Sequence, residues 1–179
     1  ESPEQVIATV TNCIKNAERY GQLQELINRD LLTGLYNRRY LLAQLEVAKQ
    51  SDSTYPLTVL YIHLDNLHNA GKIVALSGSD AIIIDTAKRL REQVNPHDLL
   101  ARLNDWVFVI LSCNRTLEEV KKFAETIQTK LAQRVVKVNE VNLLTTCSIG
   151  IGIYHQQTNA QQALLDADLA CTQAREQGQ

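Results

Sequence analysis

The chain has 179 residues, is 45% hydrophobic, and carries 18 basic against 20 acidic side chains for a net charge of −2. This is enough length and apolar content for one ordinary domain with an appended element. With no basic block in the sequence, charge gives no reason to expect nucleic acid or an anionic membrane surface as a partner. No apolar run approaches the roughly 20 residues that span a bilayer.

Cys13, Cys113, Cys147 and Cys171 are scattered singly, without Cys-x-x-Cys spacing. They are expected to be reduced small hydrophobes rather than a disulfide frame or a zinc site, with a reducing cytoplasm as the default location. The chain opens on Glu1 without a signal-peptide pattern, and the expectation is a segment of something longer.

Residues 1–28 read as a helix, with Ser2 as cap, Pro3 at an early position and Glu4 in the first turn. Val6, Val10, Cys13, Ala17, Tyr20, Gln24 and Ile27 recur at spacings of four and three, a short heptad seam interrupted by Gly21 and Gln24. Two readings stay open: a helix packed on its own domain, or a dimerising connector from an upstream module. A second helix is predicted over 38–50, with Leu41, Leu42, Leu45 and Ala48 on one face. Residues 51–56 form a loop, and the nearly all-apolar run 57–64 suits a central strand covered on both faces.

Residues 80–94 are predicted helical. Leu99–Leu103 and Trp106–Leu111 form a hairpin across Asn104-Asp105. A helix over 116–133 opens on a capping box, Thr116 with Glu119. Strands follow at 135–138 and 143–153, separated by Asn139-Glu140, and a last helix runs over 159–177. The order β-α-β-β-α-β-β-α gives an α/β sandwich with a mixed sheet carrying helices.

Three motifs in order carry a family resemblance. Asp30-x-Leu32-Thr33-Gly34-Leu35-x-Asn37-Arg38-Arg39 resembles the opening signature of the diguanylate cyclase (GGDEF) domains. Thr146-x-Ser148-Ile149-Gly150 resembles a strand of that family. Ala167-Asp168-x-Ala170 with Ala174-Arg175-x-x-Gly178 resembles its closing helix. The resemblance implies a GGDEF or nucleotide-cyclase palm-like fold over 30–179. Its central sheet would be mixed but mostly antiparallel and flanked by helices, with residues 1–29 as a connector helix.

At the positions where the resemblance places chemistry, this sequence departs from it. His63 stands where the family's first strand carries a metal-binding Asp, while Asp65 keeps the second acid. A neutral imidazole is a poor substitute for a hard oxygen ligand on Mg²⁺. Gly71 replaces the guanine-reading Asn, and Asp80 keeps its partner Asp. Asn104-Asp105-Trp106-Val107-Phe108 aligns with the name-giving turn. Asn104 and Asp105 replace the two glycines, Trp106 a metal-binding acid and Val107 the following Glu. Arg175 replaces a phosphate-contacting Lys, and Gln179 a second basic residue. The inhibitory Arg-x-x-Asp motif reads Asn95-Pro96-His97-Asp98, so Asp98 remains without the Arg that binds cyclic di-GMP.

Some residues invite a second reading. His63, Asp65 and Asp105 together would be a displaced metal pair with an imidazole beside it; the simpler reading gives Asp65 to a helix cap and Asp105 to the turn. Trp106 either plugs the vacated cleft or packs across the hairpin, and packing is the expectation. His68, His97 and Lys72 read as solvated. No resident cofactor is expected, and Mg²⁺ is not expected to bind tightly. The resemblance thus implies a non-catalytic regulatory, signal-transmitting or scaffold domain. Its partners would be neighbouring domains of the same chain (an upstream sensor, a downstream EAL-like domain) or a signalling protein, with homodimerisation through the first helix and no direct membrane insertion. The alternatives are a nucleotide-binding allosteric domain without turnover and, least favoured, a residual cyclase.

Overall fold

The computed structural model describes residues 2–48, 56–65, 76–138, 140–154 and 157–178. Among these residues eleven elements follow in order: α1 (Pro3–Asn28), α2 (Arg38–Ala48), β1 (Leu57–Leu64), α3 (Leu76–Gln93), β2 (Leu99–Asn104), β3 (Val107–Ser112), α4 (Leu117–Ala132), β4 (Val135–Val138), β5 (Val141–Leu144), β6 (Cys147–Tyr154) and α5 (Ala160–Gln177). The main sheet has the order β2-β3-β1-β6, and β4-β5 form a separate hairpin. Every ladder is antiparallel. The parallel pairing among the described residues is the bridge of Tyr36 to Ala101, which partly covers the outer edge of β2.

Alternation along the strands divides the core into two layers. Leu60, Ile62, Leu64, Phe108 and Ile110 pack against α3 and α4. Val59, Tyr61, Val107 and Val109 pack against α2 and α5. β1 is buried along nearly its whole length because it lies between β3 and β6 with helices on both faces.

Gly150 explains why α5 lies so close to the sheet. A Cβ there would fall 2.0 Å from the Ala167 carbonyl oxygen and 2.3 Å from the Cys171 amide nitrogen, both backbone atoms of α5. Only a residue without a side chain allows that approach.

The opening signature is a clamp. Asp30 accepts hydrogen bonds from the Thr33 amide (2.9 Å) and hydroxyl (2.7 Å), and Gly34 turns with φ +69°. The Asn37 side chain donates to the Ile27 carbonyl (2.6 Å) and its amide to Asn28 (2.9 Å), which fastens the end of α1 to the body.

α1 starts on a complete capping box between Ser2 and Gln5, with Pro3 at the first helical position, and none of its residues is buried. The reading of α1 as a helix packed on its own domain is therefore corrected: its apolar residues lie outside both core layers. α3 starts four residues before the expected 80, through a Ser-Gly-Ser stretch of low helix propensity that tertiary packing overrides, with Gly78 buried. The single strand expected over 143–153 is two strands, broken at Thr145-Thr146, where the Thr146 carbonyl accepts from the Asp65 amide (2.9 Å).

Candidate functional site

The C-terminal end of β1, the β2–β3 turn, the start of β6 and the last turns of α5 meet at one end of the sheet. His63 pairs across the ladders with Val107 on one side and Ser148 on the other. The alternation that puts Tyr61 in the α5-facing layer puts His63 there too. Arg175 Nη1 lies 3.0 Å from His63 Nε2. An arginine can only donate, so Nε2 accepts and the ring proton sits on Nδ1. That atom is enclosed, makes no hydrogen bond, and is 3.8 Å from Asp65 Oδ1. Burial, reinforced by the Arg175 charge and opposed by Asp65 and Asp168, pushes the His63 pKa below its ordinary value.

Asp65 is held by the Ser148 hydroxyl, which lies 3.0 Å from each carboxylate oxygen. Cys171 Sγ donates to the Ser148 carbonyl (3.3 Å), and burial pushes its thiol up to about 11. Burial, helped by the charge of Asp168, pushes the Tyr61 hydroxyl up to about 12. Neither group ionises near neutral pH, so among the described residues the acidic and basic side chains that act on His63 are Asp65, Asp168 and Arg175.

The turn contributes little ligand chemistry. The Asn104 side chain accepts from the Trp106 amide (3.1 Å), and the ladder shifts register between Arg102 and Asn104. Asp105 is exposed and lies 3.6 Å from Arg102 Nη2. Arg102 Nη1 donates to both carboxylate oxygens of Asp30 at 3.1 Å, and its Nε to the Asn104 carbonyl at 3.1 Å. Asp105 therefore belongs to an array with Arg102 and Asp30. Among the described residues, no three of His, Cys, Asp and Glu gather as a metal-binding group. Trp106 packs against the layer covered by α3 and α4, and Val107 is buried in the opposite one.

These donors do not fit Mg²⁺, which asks for oxygen ligands in near-octahedral array. The strand position offers an imidazole already engaged by a guanidinium, and its cross-strand neighbour is a valine.

The inhibitory-motif remnant has a structural partner. The fully buried Asp98 carboxylate binds Arg115 Nη1 at 2.7 Å and accepts from the Asn95 amide (2.8 Å) and the Cys113 amide (3.3 Å). Arg115 also donates to Ser112 Oγ (2.6 Å) and lies 4.2 Å from the Phe123 ring centre. Asp80 is exposed on α3, and Asn95 and His97 are exposed in the turn before β2. Asn66, His68, Gly71, Lys72 and Gln179 lie outside the described residues.

Sequence reasoning did not foresee the roles of Ser148, Asp168, Arg102 or Arg115. Two of these lay in plain view. Ser148 and Asp168 belong to motifs that carried the resemblance, and Ser148 falls opposite His63 once the strands are paired. Arg102 and Arg115 gave no local signal, because their partners lie 72 and 17 residues away.

The arrangement of two helical layers on an antiparallel sheet, with the hairpin turn beside the end of β1, defines a nucleotide-cyclase type of fold. Residues 27–179 match the family described as "Diguanylate cyclase, GGDEF domain", and the chain belongs to that family. It is 31% identical over 159 residues to the cyclic di-GMP phosphodiesterase PdeB of Shewanella oneidensis, a match covering 88% of this chain and 18% of PdeB. It is 28% identical over 154 residues to the diguanylate cyclase TpbB of Pseudomonas aeruginosa, covering 84% of this chain and 35% of TpbB. The crystal structure of the FimX GGDEF domain from Pseudomonas aeruginosa superimposes with a TM-score of 0.77 at 29% identity, covering 84% of this chain and 94% of that one. The chain thus spans well under half the length of these two curated relatives. No helix among the described residues is long and apolar enough to cross a membrane.

Proposed function

We propose that this GGDEF domain is catalytically inactive and acts in cyclic di-GMP signalling as a regulatory, signal-transmitting or scaffold module working through protein contacts. One observation carries the reading. At the end of β1, where the family's chemistry needs a metal-binding carboxylate, His63 is engaged by Arg175 and faces Val107 across the ladder. Phosphoryl transfer from a nucleoside triphosphate needs a cation to offset developing charge, and this end of the sheet meets that need with an arginine aimed at a histidine. Trp106 and Val107, at the two acidic positions of the turn, are committed to the core layers. Asp98, the acid of the inhibitory motif, is committed to Arg115. The two hydrogen bonds from Asn37 to the end of α1 give the module a firm input connection, and α5 leads out at the other terminus. Neighbouring domains of a longer protein are the natural partners.

Calorimetric titration with GTP, with and without Mg²⁺, tests this. The expected result is no heat of binding at millimolar GTP in either condition. Micromolar, Mg²⁺-dependent binding contradicts the reading. Binding indifferent to Mg²⁺ supports instead an allosteric nucleotide pocket built on the exposed Asp80 and Arg175.

A further inference from the structure

We infer that the cleft between the C-terminal ends of α3 and α4 binds the phosphate group of a small phosphorylated molecule. Lys130 and Arg134 supply the charge, and the side-chain amides of Gln93 and Gln133 supply further donors. This is a binding site separate from the end of β1, and it goes beyond the proposed function.

The cleft encloses about 370 Å³ and is lined by Arg89, Glu92, Gln93, Lys130, Gln133 and Arg134. That volume falls at the lower end of small-molecule sites, roughly 300–1,000 Å³, and leaves room for more than a phosphate group. Every lining residue is polar or charged, and three cations face one acid in a chain whose net charge is −2. None of the six belongs to a motif that carried the family resemblance.

Arg89 forms the floor and is only 6% exposed. Its Nη1 donates to the carbonyls of Leu131 (3.2 Å) and Arg134 (3.5 Å), and its Nη2 pairs with Asp85. The helix carbonyls that would repel an anion are thereby capped, and the Gln133 amide caps a third, that of Thr129 (3.1 Å). The enclosed Arg89 Nε has no acceptor. A buried donor left so costs stability, and an anion beside the guanidinium offsets that cost.

The charges above this floor are unmatched. Lys130 Nζ reaches across from α4 to the neutral Gln93 Oε1 on α3 (2.8 Å), which leaves two of its three donors over. Arg134 follows one helical turn after Lys130. Among the described residues, Lys130, Arg134 and Glu92 make no ion pair. Two spare cations and two amides, coming from two helices, suit a group with several oxygens and more than one charge. Phosphate offers three acceptor oxygens and a charge of about −1.5 to −2, whereas a carboxylate offers two oxygens and one charge.

The test is titration of the ¹⁵N-labelled full chain with inorganic phosphate, with sodium chloride at matched ionic strength as control. The side-chain N–H resonances of Gln93, Gln133 and Arg134 are followed. Saturating shifts confined to the cleft are expected. Lys130 and Arg134 are exposed, so their removal leaves the core intact; Lys130→Ala and Arg134→Ala should each weaken binding at least about tenfold. Glu92→Gln should tighten it about twofold to fivefold. Lys121→Ala, nine residues before Lys130 and so on the opposite face of α4, should leave it unchanged. Shifts that never saturate, or that chloride reproduces, overturn the inference. So does binding that Lys130→Ala and Arg134→Ala leave intact, or acetate bound as tightly as phosphate. Because Arg134→Ala removes the cleft's affinity, GTP titrated into that variant judges the end of β1 separately.

Discussion

Replacing Gly150 with alanine should pry α5 off the sheet. The added Cβ would lie 2.0 Å from the Ala167 carbonyl oxygen, 2.3 Å from the Cys171 amide nitrogen and 2.8 Å from the Cys171 Cβ. Ordinary van der Waals contact begins near 3.4 Å, so the helix must retreat by more than an ångström, and backbone atoms cannot swing aside as a side-chain tip can. Overpacking usually costs about 1–3 kcal/mol, and a clash on two backbone atoms belongs at the upper end, about 3 kcal/mol. For a domain of this size that lowers Tm by about 6–12 °C. Gly152→Ala is the internal control. Its nearest contacts, 3.0 Å to the Ala163 carbonyl and 3.1 Å to the Ala167 Cβ, need only a few tenths of an ångström, and its cost should stay near 1 kcal/mol or below. Thermal and urea melts followed by circular dichroism measure both variants. The same retreat carries Arg175 away from His63, so the histidine's NMR resonances should shift in the Gly150 variant more than in the control. A Gly150→Ala protein melting within about 2 °C of the parent, or no less stable than Gly152→Ala, refutes the close-approach argument.

Asp98→Ala should cost about 3–5 kcal/mol in urea denaturation, because it leaves the Arg115 guanidinium and two backbone amides without their buried acceptor. Burial alone would raise the Asp30 pKa, but hydrogen bonds from the Thr33 hydroxyl and amide and from Arg102 overcome it and hold the carboxyl below its ordinary value. A carboxyl with a depressed folded pKa adds stability that is present above the unfolded value, near 3.9, and is lost as pH falls through the folded one. The stability gap between the parent and Asp30→Asn should therefore close below about pH 4; a gap that persists to low pH contradicts this. His63 should titrate below its ordinary 6.5 in a histidine NMR titration, because burial and then Arg175 favour the neutral ring. Its contribution to stability is then full above 6.5 and falls away as pH drops through the folded pKa. Arg175→Ala should move that titration upward, and an unmoved midpoint would mean that the 3.0 Å contact is not maintained in solution.

The fold was largely legible because its signals are local. The capping box at Thr116 and the apolar run of β1 each name their element from within a few residues, and each lies where it was expected; the hairpin turn falls one residue later than expected, at Asp105-Trp106, because Asn104 still pairs with Val107 across a shift in register. The division of the last strand was not legible, since Thr145 and Thr146 suit a strand as well as a break. The break is set by Asp65, 81 residues earlier, whose amide takes the Thr146 carbonyl. At the site, substitution at His63, Trp106 and Val107 could be read residue by residue, whereas the replacement contacts could not. The contact of Arg175 with His63 spans 112 residues and depends on how closely α5 settles over Gly150. The ion pair of Asp98 with Arg115 likewise appears only when the end of β3 folds back over the turn preceding β2. The heptad pattern of α1 was plain in the sequence, but whether the domain covered it was a question for the fold, and the fold leaves it exposed.

The most direct test of the central claim is turnover. The purified chain is incubated with GTP and Mg²⁺, and again with Mn²⁺, and the products are separated by chromatography. The account predicts no cyclic di-GMP above the level of the same protein heat-denatured. Product that accumulates with protein concentration and disappears on metal chelation would contradict it, and would mean that the end of β1 recruits its cation in spite of His63, Arg175 and Val107.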